Sequence, residues 1–69
     1  MSKLFLKKIC TKIKKYRLAQ NLTQDILSSK TGISRSSIAM IETGKRDLTI
    51  SKLFQIAEIL EIEAFELLK

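Results

Sequence analysis

The stretch TQDILSSKTGISRSSIAMIETG, from Thr23 to Gly44, reads as two short helices joined by one tight turn. Two hydroxyl residues stand where helices start. Thr23 precedes Gln24-Asp25-Ile26-Leu27 and Ser34 precedes Arg35-Ser36-Ser37-Ile38, each with an oxygen that can accept an orphan backbone N–H of the first turn. Between them Gly32 follows Lys30-Thr31, where a left-handed residue ends a helix and glycine adopts that conformation without strain. After the turn, Ile33, Ile38 and Ile41 fall on one face, and Leu27 meets them from the first helix, so the two helices are clamped at a steep angle. Position 28 lies in the same corner. The opposite face of the second helix carries Ser34, Arg35, Ser36, Ser37 and Met40. A helix with an apolar underside and a hydrogen-bonding N-terminal edge fits the major groove of duplex DNA.

Upstream, residues 3 to 21 read as a helix in which Leu6, Ile9, Cys10, Ile13 and Arg17 recur at helical spacing among Lys7, Lys8, Lys12, Lys14 and Lys15. A basic amphipathic helix also suits a membrane surface, but here the apolar stripe is needed to cover the two-helix motif. Downstream, Gly44 ends the second motif helix and Lys45-Arg46-Asp47 forms a loop. Thr49 caps a further helix from Ile50 to Leu60, with Leu53, Ile56, Ala57 and Leu60 inward, and Ala64 to Leu68 makes one last turn or two. The tail holds Ile59, Ile62, Phe65, Leu67 and Leu68, more apolar side chains than so short a segment can turn inward. Such a patch marks an association surface, and a symmetric dimer built on the last two helices is expected.

These residues together resemble the helix-turn-helix family of the phage Cro and cI repressors. The carriers are Arg17-Leu18, Leu22-Thr23-Gln24, Gly32-Ile33-Ser34, Ile38, Ile41-Glu42, Gly44-Lys45 and Leu48-Thr49-Ile50, spanning about residues 13 to 67 with the motif at 24 to 43. One departure is Ser28, where the family usually has alanine; a serine there must find a backbone acceptor. The resemblance implies an all-α fold, a five-helix λ-repressor-like domain over residues 1 to 69, and a dimer on double-stranded operator DNA. It assigns phosphate contacts to Thr23, Gln24, Ser37, Thr43, Lys45 and Arg46, and base reading to Arg35, Ser36, Ser34, Ala39 and Met40. For Arg35 a further phosphate contact is the alternative. It also makes Glu42 the partner of Arg17, a buried ion pair rather than two exposed charges. Within the family the chain is similar to restriction-modification controller proteins, small dimers that regulate their own gene, activating at low dose and repressing at high dose. Phage or plasmid repressors and antitoxins carry the same residues.

Composition narrows the classes. With 13 Lys and Arg against 7 Asp and Glu the net charge is +6. The cations crowd the first 20 residues, while Glu58, Glu61, Glu63 and Glu66 sit at the other end, so the basic end is expected to face phosphate. The chain has no histidine, and its one cysteine, Cys10, lacks an evident activating partner. No phosphate loop or carboxylate pair is present, so no enzyme, metal or cofactor is expected. Apolar runs are short and interrupted by lysines, which argues against a membrane span or signal peptide and for a cytoplasmic protein. A protein-interaction module on the same fold remains the reading from another class, as does RNA binding, for which paired surface aromatics are lacking. No effector pocket is evident.

Overall fold

The elements follow from where the apolar stripes fall and where the chain can be capped. The computed structural model describes residues 3–69. Four α-helices are present among them: α1 (Lys3–Ala19), α2 (Gln24–Thr31), α3 (Arg35–Glu42) and α4 (Ile50–Ile59), followed by a 3-10 turn, Ala64–Leu67. The expected fifth helix is thus only a 3-10 turn. Its N-cap residue Glu63 is extended (φ −68°, ψ 140°) and gives no side-chain cap, unlike the hydroxyl residues that open α2, α3 and α4.

The N-termini of α2, α3 and α4 are closed as their hydroxyls suggested. Thr23 Oγ1 accepts the N–H of Ile26 at 3.0 Å, Ser34 Oγ that of Ser37 at 3.1 Å, and Thr49 Oγ1 that of Lys52 at 3.2 Å. The C-termini use left-handed residues. Gly44 (φ 74°) lets Lys45 N–H reach Met40 O at 2.8 Å and its own N–H reach Ile41 O at 3.1 Å. The same pair of bonds ends α1 at Asn21 and α4 at Glu61. Hence α1 stops at Ala19 rather than at residue 21, since asparagine tolerates the left-handed region and releases the chain there.

Glu61 is the strained member of this set. It is exposed and holds φ 57°, a conformation that costs a side-chain-bearing residue about 1–2 kcal/mol. Glu61→Gly is therefore expected to raise stability by about 0.5–1 kcal/mol after glycine's greater unfolded entropy is deducted. Thermal melts check this, and a midpoint that falls would show that the glutamate side chain contributes more than its backbone loses.

The helices enclose one core. Ile9, Cys10 and Ile13 of α1, Leu27 of α2, Ile38 and Ile41 of α3, and Leu53, Ile56 and Ala57 of α4 meet there with Ile33, Leu48 and Leu60. Leu67 joins them, fully buried, which removes it from the expected dimer surface. The 3-10 turn packs on both α1 and α4, so the core's last open side is closed by this one leucine. Burial raises the pKa of the Cys10 thiol, which leaves it a packing residue rather than a nucleophile. No helix of the described residues is long and apolar enough to cross a membrane.

Candidate nucleic-acid interface

The corner between α2 and α3 is pinned by short polar side chains rather than by packing alone. Ser28 Oγ donates to the carbonyl of Ile33, the acceptor that a serine at this position requires. Thr31 Oγ1 donates to Leu27 O at 2.8 Å and accepts the N–H of Ile33 at 3.2 Å. Gly32, at φ 79°, carries the chain from α2 into the turn. The start of α3 is thereby held at a set direction from α2.

At 3.6 residues per turn, α3 turns Ser37, Ile38, Ile41 and Glu42 inward and leaves Arg35, Ser36, Ala39, Met40 and Thr43 on one outer arc. Four of these five are exposed and Ala39 is half-buried. The expected base-reading residues therefore share one face, with Ser34 exposed at its N-terminal edge. Ser37 does not belong to it. It is buried, its Oγ accepting from Ser34 Oγ at 2.9 Å and from the Arg46 guanidinium. Its expected phosphate role is therefore corrected: one position further round the helix than Ser36, it falls against the loop that follows α3.

Around this face stand the other expected contacts. Thr23 opens α2 and is exposed, whereas Gln24 is half-buried, its amide donating to Glu42 Oε1 at 3.1 Å. Thr43, Lys45 and Arg46 are exposed on the loop beyond α3. Thr43 Oγ1 folds back onto the carbonyls of Ala39 and Met40, at 3.1 and 3.2 Å, and so helps to close the helix end.

The Arg17 and Glu42 side chains are only 7% and 1% exposed and form the expected pair in bidentate fashion. Arg17 Nε donates to Glu42 Oε2 at 2.7 Å and its Nη2 to Oε1 at 3.0 Å, while Nη1 donates to the carbonyl of Leu22 at 2.7 Å. With Gln24 added, one carboxylate ties together the end of α1, the start of α2 and the end of α3. No buried side-chain polar atom among the described residues lacks a partner.

Asp25 is the residue at this surface that sequence reasoning passed over. Its Oδ1 lies 3.2 Å from Arg35 Nε, with both side chains largely exposed, at 74% and 67%. The pair spans two helices and ten positions, so no helical spacing announces it. Together with Leu18, Asn21, Leu22, Thr23 and Gln24 these two residues line an open cleft of about 530 Å³ between the end of α1 and the starts of α2 and α3. No group of three or more His, Cys, Asp or Glu side chains able to hold a metal ion occurs among the described residues.

A capped, rigidly set helix that offers an arginine, a serine and apolar contacts on one open face, with a basic loop at its end, defines a helix-turn-helix DNA-binding protein. Comparison with known proteins agrees. The helix-turn-helix family model HTH_3 matches residues 13–67. An uncharacterized helix-turn-helix-type transcriptional regulator of Methanocaldococcus jannaschii is 42% identical over 52 residues, covering 75% of this chain and 79% of that protein. Solved structures are similar too, among them two controller proteins. The restriction-modification controller protein C.AhdI of Aeromonas hydrophila has TM-score 0.86 and 31% identity, covering 90% of this chain and 94% of that one. The wild-type restriction-modification controller protein C.Esp1396I has TM-score 0.85 and 39% identity, covering 93% and 86%. The chain belongs to the helix-turn-helix family HTH_3, whose members include transcriptional regulators.

Proposed function

We propose that this protein is a cytoplasmic, non-enzymatic, dimeric transcriptional regulator that binds a pseudo-palindromic operator near its own gene, in the manner of a restriction-modification controller. The observation that carries the reading is the outer arc of α3: Arg35, Ser36, Ala39 and Met40 side by side, open to a ligand as wide as a DNA groove. Its likeness to two controller proteins over most of their length supports the narrower assignment. Arg35 is the principal base reader, its guanidinium bonding the N7 and O6 of a guanine, while Ser36 and Ser34 bond a base or a phosphate and Ala39 and Met40 meet thymine methyls. Thr23, Gln24, Thr43, Lys45 and Arg46 hold phosphate.

The dimer surface lies at the end remote in sequence from the reading helix. Phe65 and Leu68 are 54% and 40% exposed, and Ile59 and Ile62 are half-buried against the core. Two copies joined there place their α3 helices one DNA turn apart, about 34 Å, so half-site centres stand ~10–11 base pairs apart. Occupancy then follows protein concentration through the dimer equilibrium, with no small-molecule effector needed.

The test is fluorescence anisotropy with DNA from upstream of the protein's own gene, over a salt series and against scrambled competitor, alongside sedimentation at micromolar concentration. Tight, selective binding by a dimer is expected. The three or four phosphates per subunit assigned to the helix-turn-helix itself contribute about −6 to the slope of log affinity against log salt. Equal, weak binding to every sequence, or a monomer throughout, would overturn the proposal.

A further inference from the structure

Not all lysines of α1 are equivalent. Lys3, Lys7, Cys10, Lys14 and Arg17 recur at alternating spacings of four and three, which places them on one stripe of the helix. Two members fix where the stripe looks. Cys10 is buried in the core, and Arg17 reaches across to Glu42 of α3. The stripe therefore runs along the flank of α1 that faces α3 and the loop after it. Lys8 and Lys15 are exposed and lie about a third of a turn round, away from the core, and the Lys12 ammonium donates to the carbonyl of Lys69.

At the N-terminal end of the stripe, Lys3, Leu6 and Lys7 form one wall of a cleft of about 380 Å³ whose other wall is Thr43, Gly44 and Asp47. That second wall belongs to the loop assigned above to phosphate. Lys3 and Lys7 are exposed, and no ion pair among the described residues includes either of them. Asp47 also belongs to no ion pair there, and as an anion it keeps phosphate to the lysine side of the cleft. Four residues of helix set the two lysines about 6 Å apart along the axis, roughly the axial rise of two nucleotides of one strand.

We infer that Lys3 and Lys7 extend the DNA-binding surface beyond the helix-turn-helix, holding the phosphate backbone next to the strand that the Thr43–Arg46 loop contacts. This rests on the DNA-binding reading given above. These contacts carry no base information; they raise affinity and lengthen the footprint of each half-site by a few base pairs.

The experiment is the same salt series, on a labelled duplex from upstream of the gene with ten flanking base pairs on each side, for the parent, for Lys3→Gln/Lys7→Gln, and for the outer-face pair Lys8→Gln/Lys15→Gln. Each lost phosphate contact flattens the slope by ~0.9, so two lysines in two subunits account for about 3.6. The parent slope is expected near −10, and Lys3→Gln/Lys7→Gln returns it to about −6 while sequence preference stays as it was. Lys8→Gln/Lys15→Gln leaves the slope near the parent's. Equal slopes for all three proteins, with Arg46→Gln still flattening the line, would overturn the extension and spare the DNA-binding reading. Equal flattening by the two lysine pairs would show net charge acting without a site, and would also overturn it. A parent protein with no DNA affinity removes both readings. All four lysines are exposed, so circular dichroism melts are expected to coincide with the parent's.

Discussion

Glu42→Gln is expected to lower the thermal midpoint by at least ~12 °C. The substitution leaves the Arg17 guanidinium buried without its counter-charge, which typically costs about 3–5 kcal/mol, and in a domain of this size each kcal/mol moves the midpoint by ~4–8 °C. The effect is this large because Glu42 is shared. Its two oxygens receive Arg17 twice and Gln24 once, so losing the negative charge weakens the polar ties from α3 to both α1 and α2. A double-mutant cycle separates pair from packing. Arg17→Met/Glu42→Leu should recover much of the loss, since an apolar pair of similar volume needs no compensating charge. Recovery is incomplete because the carbonyl of Leu22 then loses the Nη1 donor. An unchanged midpoint in Glu42→Gln would show that the pair holds nothing together.

Arg35→Ala is expected to abolish discrimination at one base pair of each half-site. A bidentate arginine–guanine contact is worth ~1–3 kcal/mol of selectivity, or roughly 5- to 150-fold in relative affinity per half-site. The fold is not involved, because Arg35 is exposed and its only ion pair among the described residues is the open one with Asp25. Competition binding against operators substituted one position at a time reads this directly. A flat profile at one symmetric pair of positions supports base reading. Uniform weakening at every sequence, the behaviour expected of Lys45→Ala or Arg46→Ala, would assign Arg35 to phosphate instead.

The two variants act on different links of one chain of cause. Glu42 sets where α3 lies, and the proposed base reading by Arg35 depends on that position. A bidentate contact is lost when the arginine is misplaced by an ångström, so under that proposal the Arg17–Glu42–Gln24 lock serves selectivity as well as stability.

Much of this was legible residue by residue because the relevant physics is local. A hydroxyl before an apolar run caps the N–H groups three residues on, and Thr23, Ser34 and Thr49 all do so. A glycine after such a run admits the left-handed closure, as Gly32 and Gly44 do. Helical spacing separated the inward Ile38 and Ile41 from the outward Arg35 and Met40. Even the buried acceptor that Ser28 needs was foreseeable, since the demand arises in a single side chain.

What the amino-acid sequence determined by itself was thus the four α-helices, the caps of α2, α3 and α4, the open outer face of α3 and the family. Only the tertiary structure decided which apolar and polar groups were left over. Leu67 and Phe65 are both apolar in the tail, yet one fills the gap between α1 and α4 and the other stays open. Ser36 and Ser37 are identical neighbours, and the loop carrying Arg46 claims just one of them. Asp25 meets Arg35, and the Lys3–Lys7 flank meets the Thr43–Asp47 loop, only because separate helices cross. The reason is range: capping and periodicity act within a turn or two of helix, whereas the last partner of each surface group depends on how distant segments pack into the same space.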